Sequence, residues 1–94
     1  MDTREFEAQL HREGYLDVKT RLLDPAVETR PHSHPFDTRL LVLEGEVTIR
    51  CCGVQQTYRA GDVFEIDAGV EHSEHCTATR FGFVVGLRHT LTGQ

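Results

Sequence analysis

The sequence predicts an all-β sandwich or barrel preceded by a short N-terminal helix, in one domain over residues 1–94. Three observations carry this. After residue 14 the apolar pattern shifts from a helical spacing to a period of two. Short runs rich in β-branched and aromatic residues then recur, with turn signals about every eight to twelve residues. Finally, 94 residues leave little room for a second core, and no repeat, low-complexity tract or linker interrupts the chain.

The helix is expected within residues 1–14. Asp2 stands at the N-cap, with Glu5 three residues on in the manner of a capping box. Phe6 and Leu10, four apart, form a narrow apolar stripe, and Gly14 is a stop signal. His11 falls on the solvated side.

The β-region is expected over residues 15–88. "YLDVKTRLL" alternates loosely and "DPA", Asp24 to Ala26, turns the chain. "VETRPHSH" is the next extended piece; Pro31 lacks an amide donor, which suits an edge or a strand end. "RLLVLEG" is apolar on both parities, as in a strand covered on both faces. After a turn at Glu44-Gly45-Glu46, "EVTIRC" alternates, with Val47, Ile49 and Cys51 on one face. "CG" and "QQTYRAGD" continue as a hairpin, Ala60-Gly61-Asp62 turns, and "DVFEID", "HSEHCTA" and "RFGFVVGL" supply the last strands. Asp62 and Asp67 sit in turns, where carboxylates commonly serve the backbone.

Composition excludes several functions. The net charge is -5 and Lys19 is the only lysine, so the basic stripe that nucleic acid requires is missing. No apolar run approaches the ~18 residues of a membrane span. The first ten residues are charged rather than apolar, unlike a secretory signal, so a cytoplasmic protein is expected. Cys51, Cys52 and Cys76 are an odd set without disulfide-framework spacing. Adjacent Cys51 and Cys52 are expected on opposite faces of a strand, both reduced.

The histidines carry the chemistry. His32 and His34 are separated by one residue, so on an extended segment both imidazoles leave the same face, ~7 Å apart at the backbone. Pro31 and Pro35 restrict the backbone on either side, which lowers the entropy of ordering a ligand pair. Alone, the pair reads as two surface histidines rather than a metal site. His72 follows in "GDVFEIDAGVEH", and a small barrel can bring a third imidazole to the same interior point. Three histidines without a thiolate suit a divalent transition metal: zinc, nickel, iron, copper, cobalt or manganese.

At this point the chain resembles the cupins. Their first motif, G-x5-H-x-H-x3,4-E-x6-G, is similar to His32, His34 and Gly45; their second, G-x5-P-x-G-x2-H-x3-N, is similar to Gly61, Gly69 and His72. The resemblance runs from about Val27 to Val85. It implies a cupin-type jelly-roll β-barrel with His32, His34 and His72 as metal ligands inside it, and a homodimer built by strand exchange or sheet packing.

The departures bear on mechanism. The motif's glutamate falls on Thr38, or on Arg39 with the longer loop; Asp37 stands one position early, where a one-residue slip reverses the face. Asp67 replaces the second motif's proline and Cys76 its asparagine. Cys76 lies four after His72 and shares its face, so it reads as a pocket thiol, even a fourth ligand, or as a small core residue. Asp37 and Cys76 are therefore the candidates for completing the pocket. His75 has the opposite parity to His72 and His89 lies near the C-terminus, so both are expected at the surface. Glu71 and Glu74 flank the motif and read as solvated charges. Three neutral imidazoles leave a divalent ion with its full charge, which favours anionic ligands in the remaining positions. The expected function is a metal-binding domain that holds a small polar or anionic ligand. The alternatives are a metal-dependent dioxygenase or isomerase acting on a small metabolite, and a non-catalytic sensor or dimerisation module.

Overall fold

A computed structural model describes residues 2–23, 29–76 and 80–89. The helix α1 spans Thr3–Arg12, and the strands are β1 (Leu16–Leu23), β2 (Phe36–Glu44), β3 (Glu46–Cys51), β4 (Val54–Arg59), β5 (Val63–Ile66), β6 (His72–His75) and β7 (Phe81–His89). All described pairings are antiparallel and form two sheets, ordered β1-β7-β2-β5 and β4-β3-β6. The all-β barrel with its N-terminal helix is thus observed.

Helix α1 starts where the sequence places its cap. The Asp2 carboxylate accepts from the Arg4 amide at 3.2 Å, so the bond reaches the second helical residue rather than Glu5. Gly14, at φ +84°, carries the chain out of the helix in the left-handed region open to glycine. Phe6 and Leu10 are fully buried with Tyr15 against Leu41 and Val84, on the outer face of the four-stranded sheet. Burying each of those two side chains is worth roughly 1.5–3 kcal/mol. The helix approaches closely because β7 has no side chain at Gly86: a Cβ there would lie 2.9 Å from Leu10 Cδ1 and 3.2 Å from Tyr15 Cβ.

β2 is covered on both faces, as its unbroken apolar run predicts. Leu41 turns out toward the helix, whereas Leu40 and Val42 turn inward to Val47, Ile49, Phe64 and Phe81 between the sheets. Leu41 therefore belongs to the helix-side core and does not line the barrel interior.

One strand and one side-chain placement differ from expectation, while one turn lies outside the described residues. The turn at Asp24 to Ala26 and the start of the extended piece at Val27 lie outside the described residues. The remainder of that piece forms no continuous strand: His32 makes one isolated bridge, and β2 begins only at Phe36. Pro31 and Pro35 lack the amide hydrogens that would continue a ladder there. β3 ends at Cys51, as expected, and Cys52-Gly53 is a two-residue turn with φ +57° and +78°. Two positive φ values mark the hairpin turn whose twist matches its strands. Cys52 therefore escapes strand alternation, and its Sγ lies 3.3 Å from Cys51 Sγ rather than on the opposite face.

Candidate metal centre

The three histidines meet because two chain segments bond across them. His32 N donates to His72 O at 2.9 Å and His72 N donates to His32 O at 2.8 Å. This mutual exchange is the hydrogen-bonded pair of an antiparallel ladder, in which facing side chains share a side. Two residues on, Gly69 N donates to His34 O at 2.8 Å and holds the second histidine to the same partner segment. The ring centroids lie 4.8 Å apart for His32 and His34, 4.5 Å for His32 and His72, and 5.3 Å for His34 and His72.

One ligating atom from each ring lies within 4.8 Å of the others. An ion with bonds of ~2.05 Å in tetrahedral geometry wants its nitrogens ~3.4 Å apart, so small rotations of the rings close the site. The partners of the ring nitrogens fit this chemistry. His32 Nδ1 lies 2.6 Å from Arg30 O, and His72 Nδ1 lies 3.0 Å from Val70 O. A carbonyl oxygen only accepts, so each Nδ1 carries a proton, and in the neutral ring the lone pair falls on Nε2. This is how backbone carbonyls orient metal-binding imidazoles. His34 stacks on Phe36, with centroids at 5.0 Å and planes at 6°. Burial, followed by the neighbouring His32 and His72, lowers the His34 pKa below its ordinary value of 6.5. The shift favours the neutral form that a ligand needs.

Thr38, at the position of the motif's glutamate, pairs with Ile66, and its Oγ1 donates to Ile66 O at 3.4 Å. Its register places it on the inward face with Leu40. Asp37 consequently faces outward, and the sequence candidate for completing the site is corrected. Its carboxylate accepts from Ala68 N at 2.8 Å and from Arg88 Nε and Nη2 at 3.1 and 3.0 Å. The Ala68 amide first, and then Arg88, hold the Asp37 pKa below its ordinary 3.8 against the opposing effect of burial. Arg88 also donates to Glu13 O at 3.2 Å and lies over the Tyr15 ring, tying the end of the helix to β7. Asp37 is a structural ion pair on the helix side of the sheet.

Cys76 is half-buried and packs against the barrel core. His75, His89 and His11 are exposed, as expected. The sequence reading took Glu74 for a solvated charge, but the structure sets it beside His32. Its Oε1 lies 3.9 Å from His32 Nε2, with both side chains about one-third exposed. Thr29 secures its backbone, donating from N to Glu74 O and accepting from Glu74 N at Oγ1, both at 2.9 Å. The available signal was parity, since Glu74 is two residues after His72 on one strand.

Beside this centre, between β3, β4 and β5, lies a cavity of about 450 Å3. Ile49, Cys51, Tyr58, Phe64, Ile66 and Val70 are among its walls. Cys51 is the cross-strand partner of His72, so the cavity wall begins one pairing away from the imidazoles.

Comparison with known proteins agrees with this architecture. The family described as "Cupin domain" matches residues 20–85. A search of curated proteins finds no significant match. Among solved structures, a predicted oxalate decarboxylase from Thermotoga maritima superposes with a TM-score of 0.68 at 23% identity, over 87% of this chain and 73% of that one. An RmlC-like cupin from Shewanella frigidimarina NCIMB 400 gives 0.66 at 24% identity, over 80% and 67%. A Cupin 2 conserved barrel domain protein from Salinispora arenicola CNS-205 gives 0.65 at 18%, over 78% of this chain and only 62% of its own length. At these identities the likeness is one of fold. With its family match covering most of the β-region and its histidines gathered in one place, this chain belongs to the cupin family.

Proposed function

We propose that this protein is a metal-binding cupin, holding a divalent transition metal through the Nε2 atoms of His32 and His72 and through His34. A small polar or anionic ligand would take the remaining positions. One observation carries the reading: three imidazoles gather their ligating atoms within 4.8 Å while backbone carbonyls engage Nδ1 on two of them. Surface histidines have no need of a shared point or fixed tautomers. A bound ion would supply positive charge and acidify a coordinated water. Glu74 would offset part of that charge from beside His32. The neighbouring cavity, with apolar walls and the polar Gln56, Glu65 and Asp67, offers room for a small metabolite rather than a polymer.

Elemental analysis of protein purified without added metal, followed by calorimetric titration of the stripped protein, tests the proposal. One ion per chain in the wild type and none in a His34→Ala variant is the expected result. Unchanged metal content in that variant overturns it.

A catalytic role is the second reading. An open three-histidine site can bind substrate at its remaining positions, and the similar Thermotoga protein is described as a predicted oxalate decarboxylase. Oxalate is therefore the first small dianion to assay. A thermal shift without turnover supports a binding protein; oxygen consumption by the iron(II)-loaded protein with a candidate substrate supports an oxygenase.

We further propose a homodimer, because β1 is an edge strand that leaves Leu16 and Leu22 exposed at 61% and 51%. Light scattering that gives a monomer mass removes this element. Three free cysteines suit a reducing compartment such as the cytoplasm.

A further inference from the structure

Cys51 and Cys52 lie outside the histidine centre. We propose that they form a chelating dithiol site for a soft, thiophilic centre, either monovalent copper or trivalent arsenic. Adjacent strand residues point apart, yet these two sulfurs are 3.3 Å from one another. The turn makes the difference. Cys52 occupies the first position of a two-residue hairpin turn at φ +57°, where asparagine, aspartate or glycine ordinarily sits. A cysteine there carries backbone strain that an asparagine would relieve, and in return its thiol reaches Cys51. Both cysteines line the same 450 Å3 cavity, together with Ile49, Val54 and Val70 and with the polar Gln56, Glu65 and Asp67. Cys51 is half-buried and Cys52 is exposed, so the pair combines a sheltered sulfur with an accessible one.

The chemistry selects the ligand class. Thiolate is a soft donor that favours monovalent copper over hard cations. Glu65 and Asp67 in the same lining disfavour a centre of high negative charge. A trivalent arsenical bound by two thiolates is neutral, and a two-coordinate copper(I) carries a single negative charge. In the arsenical reaction two As–S bonds form, the arsenic-bound oxygen leaves as water with both thiol protons, and no oxidation state changes. In the copper reaction two Cu–S bonds form and both thiol protons pass to solvent.

The test uses full-length protein reduced with a phosphine and desalted. Phenylarsine oxide is one probe, read by intact mass as a single adduct less one water. Copper(I) is the other, added anaerobically against a chromophoric copper(I) chelator in the His34→Ala background, so the histidine centre does not compete. Cys52→Asn is the key variant because it removes the thiol while suiting the turn, so loss of binding cannot be assigned to misfolding. The expected result is one equivalent of either probe retained, at least ~100-fold weaker or absent in Cys52→Asn and Cys51→Ser, and unchanged in Cys76→Ser. Retention of only one probe supports the site and identifies its ligand. Failure of both, or undiminished binding by Cys52→Asn, overturns it. Neither outcome depends on whether the histidines bind metal.

Discussion

His32 and His72 face each other across an isolated antiparallel bridge, exchanging both backbone hydrogen bonds while their rings approach to 4.5 Å. The bonds are made by main-chain atoms. Either imidazole can therefore be removed without breaking the bridge that aligns the pair.

The first prediction follows from that separation. His32→Ala and His72→Ala should fold with nearly unchanged far-UV circular dichroism and lose metal affinity by more than the ~10–100-fold typical of second-shell changes. Calorimetric titration of the stripped variants measures it. Wild-type affinity in either variant would remove the three-histidine centre.

Glu74 should act on the ion from outside its coordination shell. Glu74→Gln retains the shape and removes the charge that lies 3.9 Å from His32. A loss of about 10-fold in metal affinity is expected, at the lower end of second-shell effects. An unchanged dissociation constant would leave Glu74 as a solvated charge.

Metal should stabilise the fold by mass action. At a free metal concentration 100-fold above the dissociation constant the gain is about 2.7 kcal/mol. A chelator should therefore lower the Tm of wild-type protein and leave a His32/His34/His72 triple-alanine variant unmoved. Equal melting points with and without chelator in the wild type would contradict metal binding to the native state.

Asp37 should contribute an acid-sensitive component of stability. Its folded pKa is depressed below 3.8, chiefly by the Ala68 amide, so the native state favours the carboxylate. That contribution is present in full above its ordinary pKa and disappears as pH falls through the depressed value. Wild type should exceed Asp37→Asn in urea-unfolding stability at pH 7, and the gap should shrink below about pH 4. A gap that widens on acidification would show the sign to be wrong.

Gly86 should be intolerant of a side chain. A Cβ would meet Tyr15 Cβ at 3.2 Å as well as the more yielding end of Leu10, so the helix must retreat from β7. Gly86→Val is expected to lose about 1–3 kcal/mol, as overpacked cores do. Chemical denaturation reads this directly, and a variant as stable as wild type would mean that the helix is loosely seated.

Much of this protein was readable from local pattern. The H-x-H spacing sets two imidazoles on one face of an extended segment whatever the fold. Capping by Asp2, the stripe of Phe6 and Leu10, and the two-sided apolar run of β2 are likewise local, because each depends on a period along the chain. The spacing from Gly61 through Gly69 to His72 added the third histidine by resemblance.

Tertiary structure decided the rest, because contacts between distant segments leave no periodic trace. Register alone turned Asp37 away from the histidines and gave it to Arg88, 51 residues later. The bridge between residues 32 and 72 brought Glu74 beside His32, although strand parity had hinted at its side. A two-residue turn, rather than a continuing strand, joined the Cys51 and Cys52 thiols. Sequence by itself settled which side chains share a face, since that follows from backbone periodicity. Folding settled which faces meet, since that depends on pairing across the sheets.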